Sequence, residues 1–376
     1  MATGGLNLAS QYSKTVDERF FRESQAMLAL NSDYKFSGVD TVKMYSIPVV
    51  PMSDYGRSGT NRYGTPKDLA RNVQTMKITK DRSFTFIIDK GDKIQSQMVS
   101  DAGKALARQL REVCVPEFDS YVFRTLAASA TAKGSYATTA ITKSNAYEMF
   151  LDGEEALGNA NVPDLGRVAF CSYRFANLLK QDSAFMRYGD TTQQMLIKGV
   201  IGEVDGCKIV KVPASRLPAG CAFIMTHPSA ATGPKQLEDY KIHDNPPGVS
   251  GWLVEGRFIY DCFVLNEKAK AVYYHGAQPV LKILNISTAA TDSDKATIIV
   301  EPGVMEGVKR YYMTADTAKN LTAVTYGTAI TPASWTEMTA NGLEIAPTAG
   351  HTVVRVIEVD SDSKPIAAGD AVLNIG

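Results

Sequence analysis

The sequence predicts an α+β protein with a smaller all-β unit appended, and three observations predict it. Strand and helix signals come in blocks, not in strict alternation, which disfavours a doubly wound parallel sheet. One apolar stripe at three- and four-residue steps (Ile94, Met98, Ala102, Ala105, Leu106, Leu110, Val113) marks a long amphipathic helix. Beyond residue 280 the chain turns to short β-branched runs (Ala296–Val300, Leu321–Tyr326, Thr352–Val359) divided by turn chemistry at Glu301-Pro302-Gly303, Asn341-Gly342 and Ser361-Asp362-Ser363. Runs of that kind and spacing argue a sandwich over 281–376, with the boundary between Pro279 and Ser287.

Length and charge bound the rest. At roughly 150 residues per domain, 376 residues set an expectation of two domains. Lys plus Arg and Asp plus Glu both number 40, so the formal net charge is zero. A dedicated nucleic-acid binder carries a basic excess to neutralise phosphates, and tight DNA binding over a large face is disfavoured. Zero balance also removes self-repulsion and suits a chain that packs against copies of itself. The last 96 residues are acidic (seven Lys/Arg, eleven Asp/Glu), and the balance before them is accordingly basic. No secretory signal is legible in MATGGLNLASQYSK, and no apolar run approaches the eighteen or so residues of a membrane span. Five cysteines (114, 171, 207, 221, 262) without a CxxC pair are expected to be reduced, mostly buried thiols.

Along the chain, a polar arm precedes residues 17–30, which make a short amphipathic helix at best. Thr41 to Met52 reads as extended, with Pro48 and Pro51 barring a central-strand role. Asn72 to Ile88 reads as a second extended run. The nineteen residues between them, SDYGRSGTNRYGTPKDLAR, carry Gly56, Gly59 and Gly64 and predict a long, protruding hairpin tip. From Tyr55 to Arg82 there are seven basic residues against Asp68 and Asp81, so the arm is basic. Asp92 and Gln95 form a capping-box pattern ahead of the long helix, and Pro116 is expected to end or kink it, with continuation from Phe118 to Leu126. A second helix is expected from Ser144 to Leu157. Arg167–Cys171 reads as a strand, with Ser172 capping a helix through Lys180. Val200–Val204 and Cys207–Val212 read as a hairpin turned by Asp205-Gly206. Leu253–Leu265 and Ala271–Tyr274 read as further strands.

Catalytic patterns are missing. The histidines at 227, 243, 275 and 351 lack metal spacing, and no cysteine stands at a matching interval. Gly59-Thr-Asn-Arg-Tyr-Gly64 has the outer spacing of a phosphate loop, but Thr65-Pro66 stands where Lys-Ser/Thr is required. The acidic pairs Glu154-Glu155 and Glu238-Asp239 read as solvated, and no cysteine has a visible His partner. No catalytic, cofactor-binding or metal-ligating residue is assigned, and the chain is read as a structural protein, not an enzyme.

The stretch from Asn145 to Pro228 resembles the major capsid proteins of tailed bacteriophages, the shell fold first described for a Hong Kong coliphage. The residues that carry it are NVPDLGRVAFCSYRFANLLKQDSAFMR (161–187) and GVIGEVDGCKIVKVPASRLP (199–218), followed by FIMTHPSAA (223–231) and a strand ending near Tyr274-His275. The order arm, extended loop and long helix ahead of them is also the family's order. The resemblance covers residues 1–280. It implies an N-terminal arm at 1–40, an extended loop at 45–85, a spine helix with its peripheral domain at 92–128, and an axial domain at 140–250. It further implies that 281–376 is an added immunoglobulin-like sandwich outside the shared fold.

By that resemblance the chain would self-assemble, as hexamers and pentamers, into the icosahedral head of a tailed phage around double-stranded DNA that it contacts weakly. A portal, a separate scaffolding protein and an optional cement protein would be its partners, with assembly in the bacterial host cytoplasm and no membrane involved. Inter-subunit contacts are expected from Arg57, Arg62, Tyr63 and Lys67 of the extended loop, from Arg108 and Arg111 of the spine helix, and around the hairpin turn Asp205 and Gly206. Physics agrees: two strands alone are marginal, whereas the same hairpin laid across a neighbour buries its apolar alternation and gains by multiplicity. Lys67 is the only lysine from Ser53 to Arg71 and no carboxylate singles it out, so covalent cross-linking is not expected. Two alternatives stay open: an encapsulin-like nanocompartment shell, and a carbohydrate- or cell-surface-binding module using Tyr311, Tyr312, Tyr326 and Trp335 of the C-terminal unit.

Overall fold

The computed structural model describes residues 24–31, 33, 41–46, 49–64, 72–90, 102–183, 185, 203–204, 206–248, 250–292, 294–301, 308–331 and 334–375. It is α+β, as expected, and built on several separate sheets.

The first element among the described residues is a 3-10 turn, Ala26–Ala29, whose two end alanines are buried. Strands β1 (Thr41–Ser46) and β2 (Asn72–Lys77) pair antiparallel, Thr41 opposite Lys77, and form the root of the expected hairpin. The extended run Asn72–Ile88 does not stay in one sheet. It breaks at Ile78-Thr79, and β3 (Lys80–Asp89) instead pairs elsewhere, with its apolar Phe84, Phe86 and Ile88 turned inward and Ser83, Thr85 and Ile87 outward. Alternation of period two is what lets one strand serve a wet face and a dry one.

Helix α1 (Ala102–Gln109) passes through a π-turn, Leu110–Cys114, into α2 (Val115–Ala132). Pro116 therefore does not end the helix. Its ring and missing N–H would break an ordinary ladder, and the wide turn just before it absorbs the misfit. The extra residue also rotates the apolar stripe: after Leu106 and Leu110 the next buried position is Val115, five residues on, then Phe118 and Val122. Val113, expected in the stripe, is exposed. The Asp92–Gln95 cap, Ile94 and Met98 lie outside the described residues.

Strand β4 (Tyr136–Ala137) precedes α3 (Ala146–Asn159), β5 (Val168–Ser172) and α4 (Tyr173–Gln181). Ser172 caps α4 as expected, its Oγ accepting from the Phe175 N–H at 3.2 Å. Beyond them come β6 (Glu203–Val204), β7 (Cys207–Val212), β8 (Cys221–Thr226), β9 (Ala231–Thr232), β10 (Lys235–Asp244), β11 (Gly251–Tyr260), β12 (Phe263–Val264) and β13 (Val272–Gly276). The expected strand Leu253–Leu265 is interrupted at Asp261-Cys262, between β11 and β12.

A six-stranded mixed sheet in the order β4-β13-β8-β5-β7-β6 forms the centre. Every residue of β5 is buried, because both faces are covered. Val168 and Phe170 face α2 together with Val212, Ile224, Val272 and Tyr274. Ala169 and Cys171 face α3 and α4, against Phe150, Phe175, Phe223 and Tyr273. A second sheet, β10-β11-β3, lays Tyr240, Val254, Phe84 and Phe86 on Leu106 of α1 and Leu110 of the π-turn. Gly256 sits opposite both Phe84 and Tyr240, whose stacked rings occupy the space that a side chain would need.

The C-terminal strands are β14 (Lys282–Ile283), β15 (Asn285–Asp292), β16 (Lys295–Glu301), β17 (Lys309–Ala315), β18 (Thr336–Glu337), β19 (Leu343–Ile345), β20 (Val353–Val359) and β21 (Pro365–Val372). They make a five-stranded sheet, β14-β21-β20-β17-β18, and a three-stranded one, β15-β16-β19. The two share a core of Ile298, Val300, Ile345, Val354, Val356 and Ala367. Leu321–Tyr326, expected as a strand, is irregular chain. In this same connection Val324 joins Ile330 and Trp335 over Ile357 and Val359, on the five-stranded sheet's other face. Its apolar residues are spent on covering, not on pairing.

Candidate interaction surface

The hairpin arm carries the most exposed apolar side chains of the described residues. Val49, Met52 and Tyr63 are 93%, 100% and 88% exposed, and Val50 and Tyr55 are more than half exposed. Its tip is nonetheless locally ordered. Gly56 N–H donates to Arg62 O and Gly64 N–H to Asn61 O, both at 2.9 Å, and Ser53 Oγ donates to Tyr63 O at 3.2 Å. Asn61 and Gly64 adopt left-handed backbone (φ 60° and 88°), which is why a glycine and an asparagine occupy this turn. The Tyr55 and Tyr63 rings meet edge to face at 5.0 Å.

Of the residues expected to make inter-subunit contacts, Arg57, Arg62 and Tyr63 share this tip and are exposed. Arg62 also does local work, its Nε donating to Gly59 O at 3.2 Å. Lys67 lies outside the described residues. Arg108 and Arg111 are exposed on α1 and the π-turn, and both turn to Glu112: Arg108 Nε lies 3.0 Å from each carboxylate oxygen, and Arg111 Nη2 lies 3.9 Å from Oε1. Gly206 turns β6 into β7 with φ 79°, as a tight hairpin requires, whereas Asp205 lies outside the described residues. The charges at the tip and Tyr63 are legible in the sequence, whereas the exposed Val49, Val50 and Met52 leading into it are not among the expected contacts. Their signal is Val49-Val50-Pro51-Met52, an apolar stretch after Pro48 and ahead of a glycine-rich loop.

The root of the arm is fixed by a buried carboxylate. Asp261 Oδ2 accepts from both the N–H and the hydroxyl of Thr79, each at 2.9 Å. Its Oδ1 accepts from Tyr121 Oη on α2 and from its neighbour Cys262 N–H, both at 2.7 Å. Burial pushes the Asp261 carboxyl up and, beside it, the Lys80 ammonium down; burial, with Asp261 adding, raises the Tyr121 phenol. Such a cluster is structural: both Asp261 oxygens are occupied, each by two donors.

The aromatic platform considered for sugar binding is not assembled. Trp335 is buried on Ile357 and Val359, Tyr311 packs on that same face, and Tyr312 packs on the opposite core. Tyr326 meets Tyr136 edge to face at 6.5 Å. Among the described residues no group of three or more His, Cys, Asp or Glu is placed to hold a metal ion, and no helix is long and apolar enough to cross a membrane.

The combination of a hairpin arm, a long helix under a mixed central sheet and a second three-stranded sheet is a phage capsid fold. The chain superposes on one from Mycobacterium phage Che8 with a TM-score of 0.56 and 19% identity, over 67% of this chain and 90% of that one. The capsid structure of the Cyanophage P-SCSP1u aligns with a TM-score of 0.52 and 13% identity, over 64% and 84% of the two chains. Neither a family model nor a curated protein matches the sequence. The likeness is therefore one of fold, and about a third of this chain lies beyond it.

Proposed function

We propose that this chain is the coat subunit of a phage head, one that tiles with copies of itself into a closed shell around double-stranded DNA. The observation that supports it best is the arm tip. In a lone chain Tyr55 and Tyr63 stand in water on an ordered turn, and Val49, Val50 and Met52 stand in water on the segment leading into it, which a monomer gains nothing by building. Seated on a neighbour, each apolar side chain would contribute roughly 1.5–3 kcal/mol on full burial. Repetition around a shell multiplies that contribution. On this reading Arg57, Arg62, Tyr63 and Lys67 meet the neighbour, Arg108 and Arg111 serve contacts along the spine helix, and the turn at Asp205 and Gly206 lies toward the capsomer axis. The role is structural, not enzymatic, with a portal and a separate scaffolding protein as further partners. Residues 281–376 are an immunoglobulin-like addition to a shell domain of residues 1–280, and the particle is a virion component assembled in the host cytoplasm.

Light scattering and electron microscopy of the full chain purified from producing cells test this. Megadalton shells or capsomer rings support it, and a monomer persisting at high concentration refutes it. The contents divide the two shell readings: DNA-filled heads with a portal fit a phage, and small shells loaded with protein fit a nanocompartment.

A further inference from the structure

Asn285 and Glu301 lie directly opposite each other at one end of the β15–β16 pair, sixteen positions apart in sequence. Both reach to the root of the arm. The Asn285 amide Nδ2 donates to Thr79 Oγ1 at 2.7 Å, and Lys77 Nζ donates to Glu301 Oε1 at 3.0 Å. Lys77 ends β2 and Lys80 begins β3, so the grip falls on the two-residue break at which the arm leaves one sheet and the chain enters another.

Thr79 is the shared element. Its hydroxyl gives its one proton to Asp261 and receives the Asn285 amide on a lone pair. Asp261 is in turn tied to α2 through Tyr121. A part-buried chain of hydrogen bonds therefore runs from the C-terminal strands through the arm root to the long helix. With that proton committed, Asn285 must present its NH₂ to Thr79, and its Oδ1 is left buried without a hydrogen-bond partner. Leaving an acceptor unsatisfied opposes stability, which marks this contact as one of position.

We propose that the Asn285–Glu301 end of the C-terminal strands is a clasp that sets the angle of the arm. Rotation at Ile78-Thr79 releases Asn285, and displacement of the C-terminal strands frees the arm root. Coupling of this kind is reciprocal: whatever fixes the arm also steadies the C-terminal strands. The inference concerns a single chain and does not rest on the shell reading.

Hydrogen exchange on the unassembled full chain tests it, with Asn285→Ala and Glu301→Gln as the variants. Loss of one part-buried hydrogen bond is expected to raise exchange across residues 72–80 by about tenfold in Asn285→Ala. Glu301→Gln, which breaks a half-exposed ion pair, is expected to raise it about two-fold. Peptides from 115–132 and 353–372 should exchange as in the parent. Parent-like exchange at 72–80 in both variants overturns the proposal. If Asn285→Ala exchanges faster throughout, Glu301→Gln decides: a rise confined to 72–80 supports the clasp, and parent-like exchange there overturns it.

Discussion

Ser24 Oγ donates a 2.6 Å hydrogen bond to Asp119 Oδ1, joining the start of the described chain to the middle of the long helix. Asp119 is fully buried, and three more donors converge on it: Ala26 N–H on Oδ1 at 3.2 Å, and Gln25 N–H at 3.2 Å and Arg216 Nη1 at 3.0 Å on Oδ2. One carboxylate thus secures the N-terminal segment and the 3-10 turn Ala214–Arg216 to α2. Asp119→Asn replaces one acceptor oxygen by an NH₂ group that faces donors. It should cost about 3–5 kcal/mol, as removal of one partner from a buried pair does. The urea midpoint should fall with an unchanged slope.

A second buried pair gives a different kind of prediction. Arg310 and Glu358 stand opposite each other on β17 and β20, each only 2% exposed. Glu358 Oε1 accepts from Arg310 Nη2 at 2.7 Å and from Nε at 3.0 Å. Glu358→Leu alone removes both of these contacts from a buried guanidinium and should cost about 3–5 kcal/mol. The double change Arg310→Met with Glu358→Leu should recover most of it, since apolar replacement of a whole buried pair is often neutral. A double-mutant cycle on thermal unfolding of the full chain reads the coupling directly.

All five thiols are free, and burial pushes each one up. Cys114 reaches about 11, with Glu117 adding to the burial. A raised native pKa favours the neutral thiol, so this contribution to stability is present below the ordinary thiol pKa and is lost as pH rises through the native value. At pH 8 the folded chain should react with a disulfide reagent on the order of a hundredfold more slowly than the urea-unfolded chain, in which all five should titrate. Fast labelling of any one cysteine in the folded chain would contradict this.

Much of the fold could be read from residue pattern because the local and tertiary signals agree. Val168–Ser172 is apolar throughout because both faces are covered, and Ser172 caps the following helix from its own position. Lys295–Glu301 alternates over one core, whereas Val353–Val359 is apolar on both faces because each is covered, Val354 and Val356 on one side and Ile357 and Val359 on the other. Where the pattern misled, a distant partner had decided. Val113 obeys the helical period, but the π-turn before Pro116 turns it to solvent. Leu321–Tyr326 is β-branched and apolar, yet it covers a sheet instead of extending one. Asp119 and Asp261 look like surface acids in the sequence, because the donors that justify their burial lie up to 182 positions away. Val49 and Met52 escape the pattern for a simpler reason: the charged residues of the neighbouring tip are more conspicuous.

Gly369 supplies a prediction about packing between the C-terminal strands. A Cβ there would lie 2.2 Å from the backbone carbonyl oxygen of Leu284 and 3.0 Å from its carbonyl carbon. Leu284 is held in place, since its N–H donates to Ala368 O at 3.1 Å. A carbonyl cannot step aside as a flexible side-chain end does, so Gly369→Ala should cost about 1–3 kcal/mol of overpacking. Gly327→Ala, with nothing within 4 Å of its Cβ but a left-handed backbone at φ 72°, provides the contrast. Its cost comes from the backbone alone, about 1 kcal/mol. Thermal midpoints of the two variants should fall in that order.

On the proposed shell reading, the arm separates folding from assembly. Val49, Val50 and Met52 touch little of their own chain, so changing all three to serine should shift the stability of the unassembled chain by no more than about 0.5 kcal/mol per residue. The same change removes the apolar area that a neighbouring copy would bury, so the fraction sedimenting as particles at matched concentration should collapse. Arg57→Ala with Arg62→Ala should lower that fraction much less, because exposed ion pairs contribute about 0–1 kcal/mol and are screened by salt. Particles that form normally from the triple-serine variant would place the adhesive surface elsewhere on the subunit. A larger loss from the two arginine changes would make charge, and not apolar burial, the force that seats the arm.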